Sequence, residues 1–269
     1  MGPARPLKAD TWYSEAQAWT ADSKSIILRG HRYGKIGIIK QDVDGHSPQP
    51  LVSGASSYDT PVVSPDGKWL LYTENLEDGT ARLMRMPIEG GPAMQLLQGD
   101  YSYRCASVAA SLCILSEISG KQAIFSLLDP FKGHGREVAR ADINRGFHNW
   151  SLSPDGKNIA LVEWGEDRVR LIGTDGGDAR TLPLKGWKGL QYVNWAADGR
   201  HLYLSGTRNV TDDPEWAIFE TDFAGNIEVL IRMSSDQGWI YNPAPSPDGR
   251  YLIYNERTWP SSVMMLENF

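Results

Sequence analysis

Short apolar runs recur along the whole chain, and polar segments rich in glycine and proline separate them. Four such runs fall at 58–63, 69–74, 82–87 and 93–97, and four more at 147–152, 159–164, 168–173 and 179–182. No stretch keeps the 3.6-residue period of an amphipathic helix over a useful length. The pattern predicts an all-β protein built from short antiparallel strands joined by tight turns.

One turn sequence recurs between the first and second runs of these groups. Full Ser-Pro-Asp-Gly copies occur at 64–68, 153–157 and 246–250, and degenerate copies at 20–24, 107–111 and 196–200. Proline presets the backbone of the first central position, aspartate bonds to nearby backbone, and glycine accepts the left-handed conformation. Each copy therefore predicts a hairpin, and the third copy, which lacks both proline and glycine, specifies its hairpin least.

Six repeats of about 43 to 50 residues, each with four strands, are typical of a β-propeller. We predict one domain, 1–269, folded as a six-bladed propeller of four-stranded antiparallel blades. The predicted repeats are 11–54, 55–99, 100–144, 145–187, 188–236, and 237–269 together with 3–9. In the last repeat, residues near Ala4–Ala9 are expected to pair beside Ser262–Phe269, which would close the ring and cover an open sheet edge.

The repeated Ser-Pro-Asp-Gly-Lys/Arg turn followed by an apolar strand resembles the TolB-type WD-like β-propeller repeat. The resemblance covers essentially the whole chain. It implies protein–protein interaction or periplasmic scaffolding. Such propellers also occur as sensor-like C-terminal domains of larger bacterial proteins and as the propeller of prolyl-oligopeptidase-like hydrolases. The ending 263–269 looks like a last blade strand, which favours a C-terminal propeller over one that precedes a hydrolase domain.

Charge and motif content argue against several classes of function. The chain has 27 Lys and Arg against 33 Asp and Glu, a net charge of -6, and no long basic run, so we expect no nucleic-acid binding. No apolar stretch is long enough for a membrane span, and Met1–Ala9 lacks the apolar core of a signal peptide. The compartment stays open between periplasm and cytoplasm. We expect no cofactor and no metal, because nucleotide-binding glycine motifs and closely spaced histidines do not occur, and no α/β-hydrolase nucleophile, because a Gly-x-Ser-x-Gly elbow is missing. We also expect a monomer.

The inner strand of each repeat is the one that runs into the turn, and the starts of these strands differ most between repeats. We hypothesise that they frame the mouth of a central channel that binds a protein partner or a small ligand. The candidate residues are Glu15, Asp59, Tyr103, Arg104, His148, Trp150, Gln191, Tyr192 and Tyr241. The alternative is that they are ordinary solvated channel residues.

The sequence favours a non-enzymatic interaction or ligand-sensing module. The alternative is a propeller lyase or hydrolase, and convergence of His148, Asp59 and Glu15 within metal- or proton-transfer distance would indicate it. Trp19, Trp69 and Trp195 are expected to pack between blades.

Cys105 and Cys113 flank the third turn symmetrically, so they are predicted to lie opposite each other on adjacent strands. Because disulfide geometry is demanding, we expect reduced, buried thiols here and leave the bond open.

Overall fold

The computed structural model describes residues 4–7, 13–32, 35–44, 48–54, 56–106, 110–144, 148–177, 179–209, 214–258 and 261–267. Within these ranges the regular structure is β, in six four-stranded antiparallel sheets. The predicted four-stranded blades are confirmed. Strand bounds agree with the apolar runs to within about one residue; for example, the run predicted at 168–173 is the strand Arg168–Gly173.

The strands follow chain order, with the first one, β1 (Arg5–Pro6), belonging to the last sheet. Sheet 1 contains β2 (Tyr13–Trp19), β3 (Ser25–Arg32), β4 (Lys35–Asp42) and β5 (Gln49–Ser53). Sheet 2 contains β6 (Ser57–Val63), β7 (Trp69–Asn75), β8 (Ala81–Pro87) and β9 (Met94–Gln98). Sheet 3 contains β10 (Ser102–Cys105), β11 (Cys113–Ser119), β12 (Gln122–Asp129) and β13 (Gly133–Asp142).

The other three sheets repeat this order. Sheet 4 contains β14 (His148–Leu152), β15 (Asn158–Glu163), β16 (Arg168–Gly173) and β17 (Arg180–Pro183). Sheet 5 contains β18 (Lys188–Trp195), β19 (His201–Asn209), β20 (Pro214–Asp222) and β21 (Ile227–Ser234). Sheet 6 contains β22 (Trp239–Pro245), β23 (Tyr251–Arg257), β24 (Ser261–Glu267) and β1.

The chain divides into two compact units. The N-terminal unit is Leu7–Arg140, and the C-terminal unit is Met1–Pro6 with Ala141–Phe269. In the C-terminal unit β1 lies beside β24, where Arg5 pairs with Met265 and Pro6 with Met264. The expected contact between the two termini thus exists at these residues, while residues 8, 9, 268 and 269 lie outside the described residues.

The repeated turn owes its shape to three side-chain bonds. In the copy at 64–68, the hydroxyl of Ser64 donates to Asp66 Oδ1 at 2.5 Å and accepts the backbone N–H of Trp69 at 3.0 Å. Asp66 Oδ1 also accepts the N–H of Lys68 at 3.1 Å, and Gly67 has the predicted positive φ of 70°. The serine, whose role the sequence reasoning missed, therefore links the aspartate to the first N–H of the next strand. The copies at 153–157 and 246–250 make the same bonds.

Neighbouring turns also touch one another. A Cβ placed on Gly67 would lie 2.9 Å from the Cβ of Ala21 in the preceding turn, and one on Gly249 would lie 3.6 Å from the Cβ of Ala197. Glycine at this position thus serves both the backbone conformation and the spacing between adjacent sheets. The degenerate third turn, at 107–109, lies outside the described residues.

Apolar side chains fill the space between adjacent sheets. Ile27 and Ile38 of sheet 1 pack with Tyr58, Leu70 and Met86 of sheet 2 in one buried cluster. Trp195 joins a similar cluster between sheets 4 and 5, and Trp69 packs edge-on against Phe131 in the turn between β12 and β13 of sheet 3, with ring centres 5.4 Å apart. These contacts are the inter-sheet packing expected of Trp69 and Trp195.

The expectation of reduced thiols at Cys105 and Cys113 is wrong, because the two residues form a disulfide. They pair directly across β10 and β11, with Cα atoms 4.0 Å apart. Directly opposed residues of an antiparallel pair bring their side chains close enough for such a bond. The predicted register was right, and that register itself supplies the proximity that the sequence reasoning judged too demanding.

Candidate functional site

A charged cluster joins the starts of the inner strands of sheets 1 and 2. Arg29, on β3, is its centre: Nη1 lies 3.2 Å from Glu15 Oε2, and Nε lies 2.8 Å from Asp59 Oδ1. Nε also donates to the backbone carbonyl of Tyr58 at 3.1 Å. Asn75 Nδ2 donates to the second oxygen of Asp59 at 2.9 Å. We call Glu15, Arg29, Asp59 and Asn75 the charged cluster; it brings two of the predicted site residues together through a guanidinium that the sequence reasoning did not select.

The charged cluster is partly open to solvent. The Asp59 side chain is 37 % exposed, against 15 % for Glu15 and 25 % for Arg29. Asp59 is therefore the carboxylate that a ligand would reach most easily. Its partners already hold it in position, which reduces the ordering cost of binding.

Backbone strain lies directly beside Asp59. The pairing of β6 with β7 shifts register between Asp59 and Val62, and Thr60 in this bulge has a φ of 46°. A β-branched residue in that region is unfavourable, and bulges often re-aim side chains near functional sites. The hydroxyls of Thr60 and Thr73 lie 3.2 Å apart. Register shifts also occur at the corresponding places in β2 and β22, so the bulge is shared by several inner strands and lies at the predicted site.

The side chain of Tyr103 contacts Thr73, next to this bulge. Its side chain is fully buried, and its hydroxyl lies 3.2 Å from that of Thr73. Complete burial raises the pKa of Tyr103 above its usual range. Its neighbour Arg104 is half-buried and donates from Nη1 to the Tyr103 carbonyl at 2.8 Å. Tyr103 is therefore part of the support of the site, and Arg104 is the more accessible of the two.

In the C-terminal unit, side-chain amides connect the inner strands β14, β18 and β22. Asn149 Oδ1 accepts the N–H of Val193 at 3.2 Å, and Asn194 Nδ2 donates to the carbonyl of Pro243 at 2.9 Å. The rings of the predicted residues Tyr192 and Tyr241 lie 5.7 Å apart. This unit thus brings two predicted aromatic residues together on neighbouring inner strands.

The remaining predicted residues differ in how far their side chains are exposed. His148 and Gln191 are half-buried on β14 and β18, whereas Trp150 is only 1 % exposed. A ligand contact by Trp150 stays a prediction, and its burial favours a role in packing. Asn242, beside Tyr241, has a φ of 54° at a register shift like that at Thr60.

The hairpin register could have identified Arg29. A turn centred near residue 22 places Glu15 opposite Arg29, as the structure confirms. The same reasoning was applied to the two cysteines only. Thr60, Asn149 and Asn194 carried no such signal, because their roles depend on bulges and on neighbouring sheets.

Among the described residues, no three or more His, Cys, Asp or Glu side chains come together as a possible metal site. No helix there has the length and apolar character needed to cross a membrane.

Solved structures with the same architecture decide the fold family. A TolB-type protein from Agrobacterium tumefaciens aligns over 96 % of this chain and 90 % of its own, with a TM-score of 0.67 and 18 % identity. TolB from Acinetobacter baumannii aligns over 84 % of this chain and 55 % of its own, with a TM-score of 0.61 and 19 % identity. The chain has the TolB-type β-propeller fold. The resemblance inferred from the turns is thereby confirmed at the level of fold.

The TolB-type fold alone does not fix an activity. An oligogalacturonate lyase in complex with manganese aligns over 100 % of this chain and 98 % of its own, with a TM-score of 0.61 and 14 % identity. One fold therefore occurs both in TolB proteins and in a lyase, and function must be argued from the site.

Matches found from the sequence do not indicate an activity for the chain. No protein-family model matches the chain. An uncharacterised protein of Agrobacterium fabrum is 24 % identical over 205 residues, and the chain spans about half the length of that relative.

Proposed function

We propose that this chain is a non-enzymatic interaction module that binds a protein partner through the starts of its inner strands. The charged cluster is the observation that carries the proposal. It combines a partly exposed carboxylate, Asp59, with a guanidinium shared between two sheets. Preorganised charged groups of this kind favour a specific partner, because their desolvation and ordering costs are already partly met.

The contrast with the turns supports this role. The turns repeat the same residues and bonds from sheet to sheet, as expected of groups that build the fold. The inner-strand starts carry different side chains in each sheet, and Thr60 and Asn242 adopt strained backbones there. Thr60 and Asn242 hold the same position, four residues before Ser64 and Ser246, so this strain recurs in two sheets and the support for a binding role is the difference in side chains.

The site hypothesis rests on a larger arrangement that is also part of the proposal. We propose that the six sheets are the blades of one closed six-bladed ring and that residues 1–269 form a single domain. The pairing of β1 with β24 supports closure, because it places residues from both ends of the chain in one sheet. The candidate residues other than the buried Tyr103 and Trp150 would then surround one channel mouth.

Photo-crosslinking tests the proposal in cells that produce the protein. A photoreactive amino acid replaces Glu77, an exposed residue two positions beyond Asn75. We expect a protein adduct that falls by about tenfold when Asp59→Ala and Arg104→Ala are combined, since removal of central charged contacts typically costs this much or more.

A charge-matched control keeps the result specific. The pair Asp44→Ala and Arg136→Ala removes one acid and one base at exposed positions outside the charged cluster and should leave the adduct unchanged. Equal adduct yields from both double variants, with both proteins folded by circular dichroism, would refute binding at this site.

The lyase or hydrolase alternative stays a prediction. Its expected sign was convergence of His148, Asp59 and Glu15. Glu15 and Asp59 both contact one residue, Arg29, whose single positive charge is shared between the two carboxylates. This pairing favours binding over metal or proton chemistry in the N-terminal unit.

A further inference from the structure

A second surface of the N-terminal unit has the composition of a binding hot spot. Trp69, Arg85, Met94 and Phe131 lie together where sheets 2 and 3 adjoin, and we call them the aromatic–arginine patch. Met94 is 60 % exposed and Phe131 58 %, more than any other large apolar side chain among the described residues. Isolated exposed apolar residues are ordinary, but a contiguous group containing Trp, Arg, Met and Phe is typical of interaction surfaces.

Arg85 holds the patch together. Its guanidinium carbon lies 4.6 Å from the centre of the Trp69 ring and 4.3 Å from that of Phe131. Nη1 donates to the carbonyl of Pro130 at 2.9 Å, and Nη2 lies 3.6 Å from the sulfur of Met94. Two cation–π contacts and a backbone anchor therefore fix the guanidinium in one orientation.

The charge of Arg85 is not balanced within the described chain. No carboxylate of the described residues forms an ion pair with it, and its buried Nε has no hydrogen-bond partner there. Arginine has five N–H groups, so each terminal nitrogen keeps an N–H for an incoming acceptor. A guanidinium that is held in one orientation and keeps unused N–H donors can bind a carboxylate.

The charged side chains next to the patch carry both signs. Exposed Lys68 and Lys132 directly adjoin Trp69 and Phe131 in the sequence. The nearby carboxylates of Asp66 and Asp129 accept N–H groups of their own turns. The two lysines and the two aspartates offset each other, so the positive charge of Arg85 is the net charge of this group, in a chain whose net charge is -6.

This patch is separate from the charged cluster. Trp69 begins β7, whereas Thr73, which pairs with Asp59, lies toward its other end. Four residues of extended strand span about 13 Å. The two surfaces therefore lie toward opposite ends of the same strands.

We propose that the aromatic–arginine patch docks a linear segment of a partner protein in which an Asp or Glu adjoins a large apolar residue. The carboxylate binds the terminal nitrogens of Arg85, and the apolar side chain packs on Phe131 and Met94. Charge complementarity selects this occupant, because the patch offers unbalanced positive charge beside exposed apolar area.

Selection from a phage-displayed library of random linear peptides on the wild-type protein tests the proposal. We expect enriched peptides to carry Asp or Glu within about two positions of Leu, Phe or Trp. Fluorescence anisotropy on the synthetic peptides then measures affinity. Arg85→Gln, Phe131→Ala, or replacement of the peptide carboxylate by its amide should each weaken binding about tenfold or more.

Matched controls lie in the same sheet. Ile118 is 52 % exposed and Arg136 is exposed, both outside the patch, so Ile118→Ala and Arg136→Gln should bind as the wild type does. Asp59→Ala should also bind normally, which separates this proposal from the one on the charged cluster. Because Phe131 is exposed, Phe131→Ala keeps the test valid if Arg85→Gln fails to fold.

Several results would overturn the proposal. These are the absence of enriched peptides, enrichment of peptides without a carboxylate, or equal loss of binding in the control variants. Sedimentation provides a further check: self-association that Phe131→Ala abolishes would make a second copy of the chain the occupant instead.

Discussion

Small polar side chains determine the local shape of this protein. The turn at 196–200 shows what one hydroxyl contributes, because Ala196 stands where other copies have serine or threonine. Asp198 still accepts the N–H of Arg200 at 2.7 Å, but a hydroxyl bond to the N–H of the next strand is not possible there. The turn therefore forms without the hydroxyl, with Asp198, Gly199 and its backbone hydrogen bonds, and in the full copies serine additionally links the turn to the strand.

Two glycines allow backbone strain to be separated from packing. Gly67 and Gly79 have similar φ values of 70° and 81°, but only Gly67 faces a neighbour, Ala21. We expect Gly79→Ala to lower the free energy of unfolding by about 1 kcal/mol from strain alone. Gly67→Ala should cost more, since a Cβ there would also contact the adjoining turn.

Urea unfolding of the two variants measures this difference. Equal losses for Gly67→Ala and Gly79→Ala would show that the contact between turns contributes nothing to stability.

Sequence reasoning at this scale succeeded where one hairpin decides the outcome. The conformations of Gly67, Gly156 and Gly249 followed from the turn sequence alone. Arg29 was within reach of the same register argument, because it pairs with Glu15 across one hairpin. Its second partner, Asp59, was not, because that contact depends on how two sheets pack.

The third hairpin differs from the others in how it is held. Its turn sequence lacks the proline and glycine of the full copies, and its two strands are joined by the Cys105–Cys113 bond. Ala106 N donates to the Leu112 carbonyl at 2.7 Å directly inside that bond. A covalent link thus accompanies the hairpin whose turn chemistry is weakest.

We expect the double variant Cys105→Ser and Cys113→Ser to be less stable by about 2–3 kcal/mol, because the bond closes a short loop in the unfolded chain. Thermal unfolding with and without reductant measures this. Reductant should destabilise the wild type and leave the double variant unchanged. A wild-type protein whose mass without reductant shows two free thiols would contradict the assignment.

Repetition across the whole molecule makes acid stability a shared property of the turns. Four turn aspartates have a lowered pKa, namely Asp22, Asp66, Asp155 and Asp248. Partial burial raises each pKa, but bonds from a Ser or Thr hydroxyl and from backbone N–H groups outweigh that effect. The folded state therefore binds protons less readily than the unfolded state at these sites.

The lowered pKa values make the stability of the fold depend on pH. A lowered pKa in the folded state stabilises the fold above the unfolded pKa, and this contribution is lost as pH falls below about 3.8 through the folded values. Thermal unfolding between about pH 5 and about pH 2.5 should show a steep loss of stability in the wild type. Asp66→Asn combined with Asp155→Asn should be less stable at the higher pH and decline less on acidification. Parallel curves for the two proteins would contradict this origin.

The fold was far more predictable than the site. Fold class and strand positions follow from a turn repeated along the chain, so each copy reinforces the others. The site depends on side chains that differ from repeat to repeat, such as that of Thr60, whose left-handed backbone no local sequence pattern predicts. Burial likewise separated Trp150 and Tyr103 from the accessible candidates only once the packing was known.

The pairing of Arg5 and Pro6 with Met265 and Met264 has a consequence for biosynthesis. The partners are about 260 residues apart in the sequence. At a synthesis rate of roughly 5–20 residues per second, β1 is therefore made about 13–50 seconds before the strand with which it pairs. Sheets 1 to 5 consist of consecutive segments and can form during translation, but sheet 6 cannot be completed until β24 has been made. A product that stops before Ser261 lacks β24, the partner of β1, and therefore leaves β1 and one edge of β23 unpaired, which gives cellular quality control a structural difference to recognise.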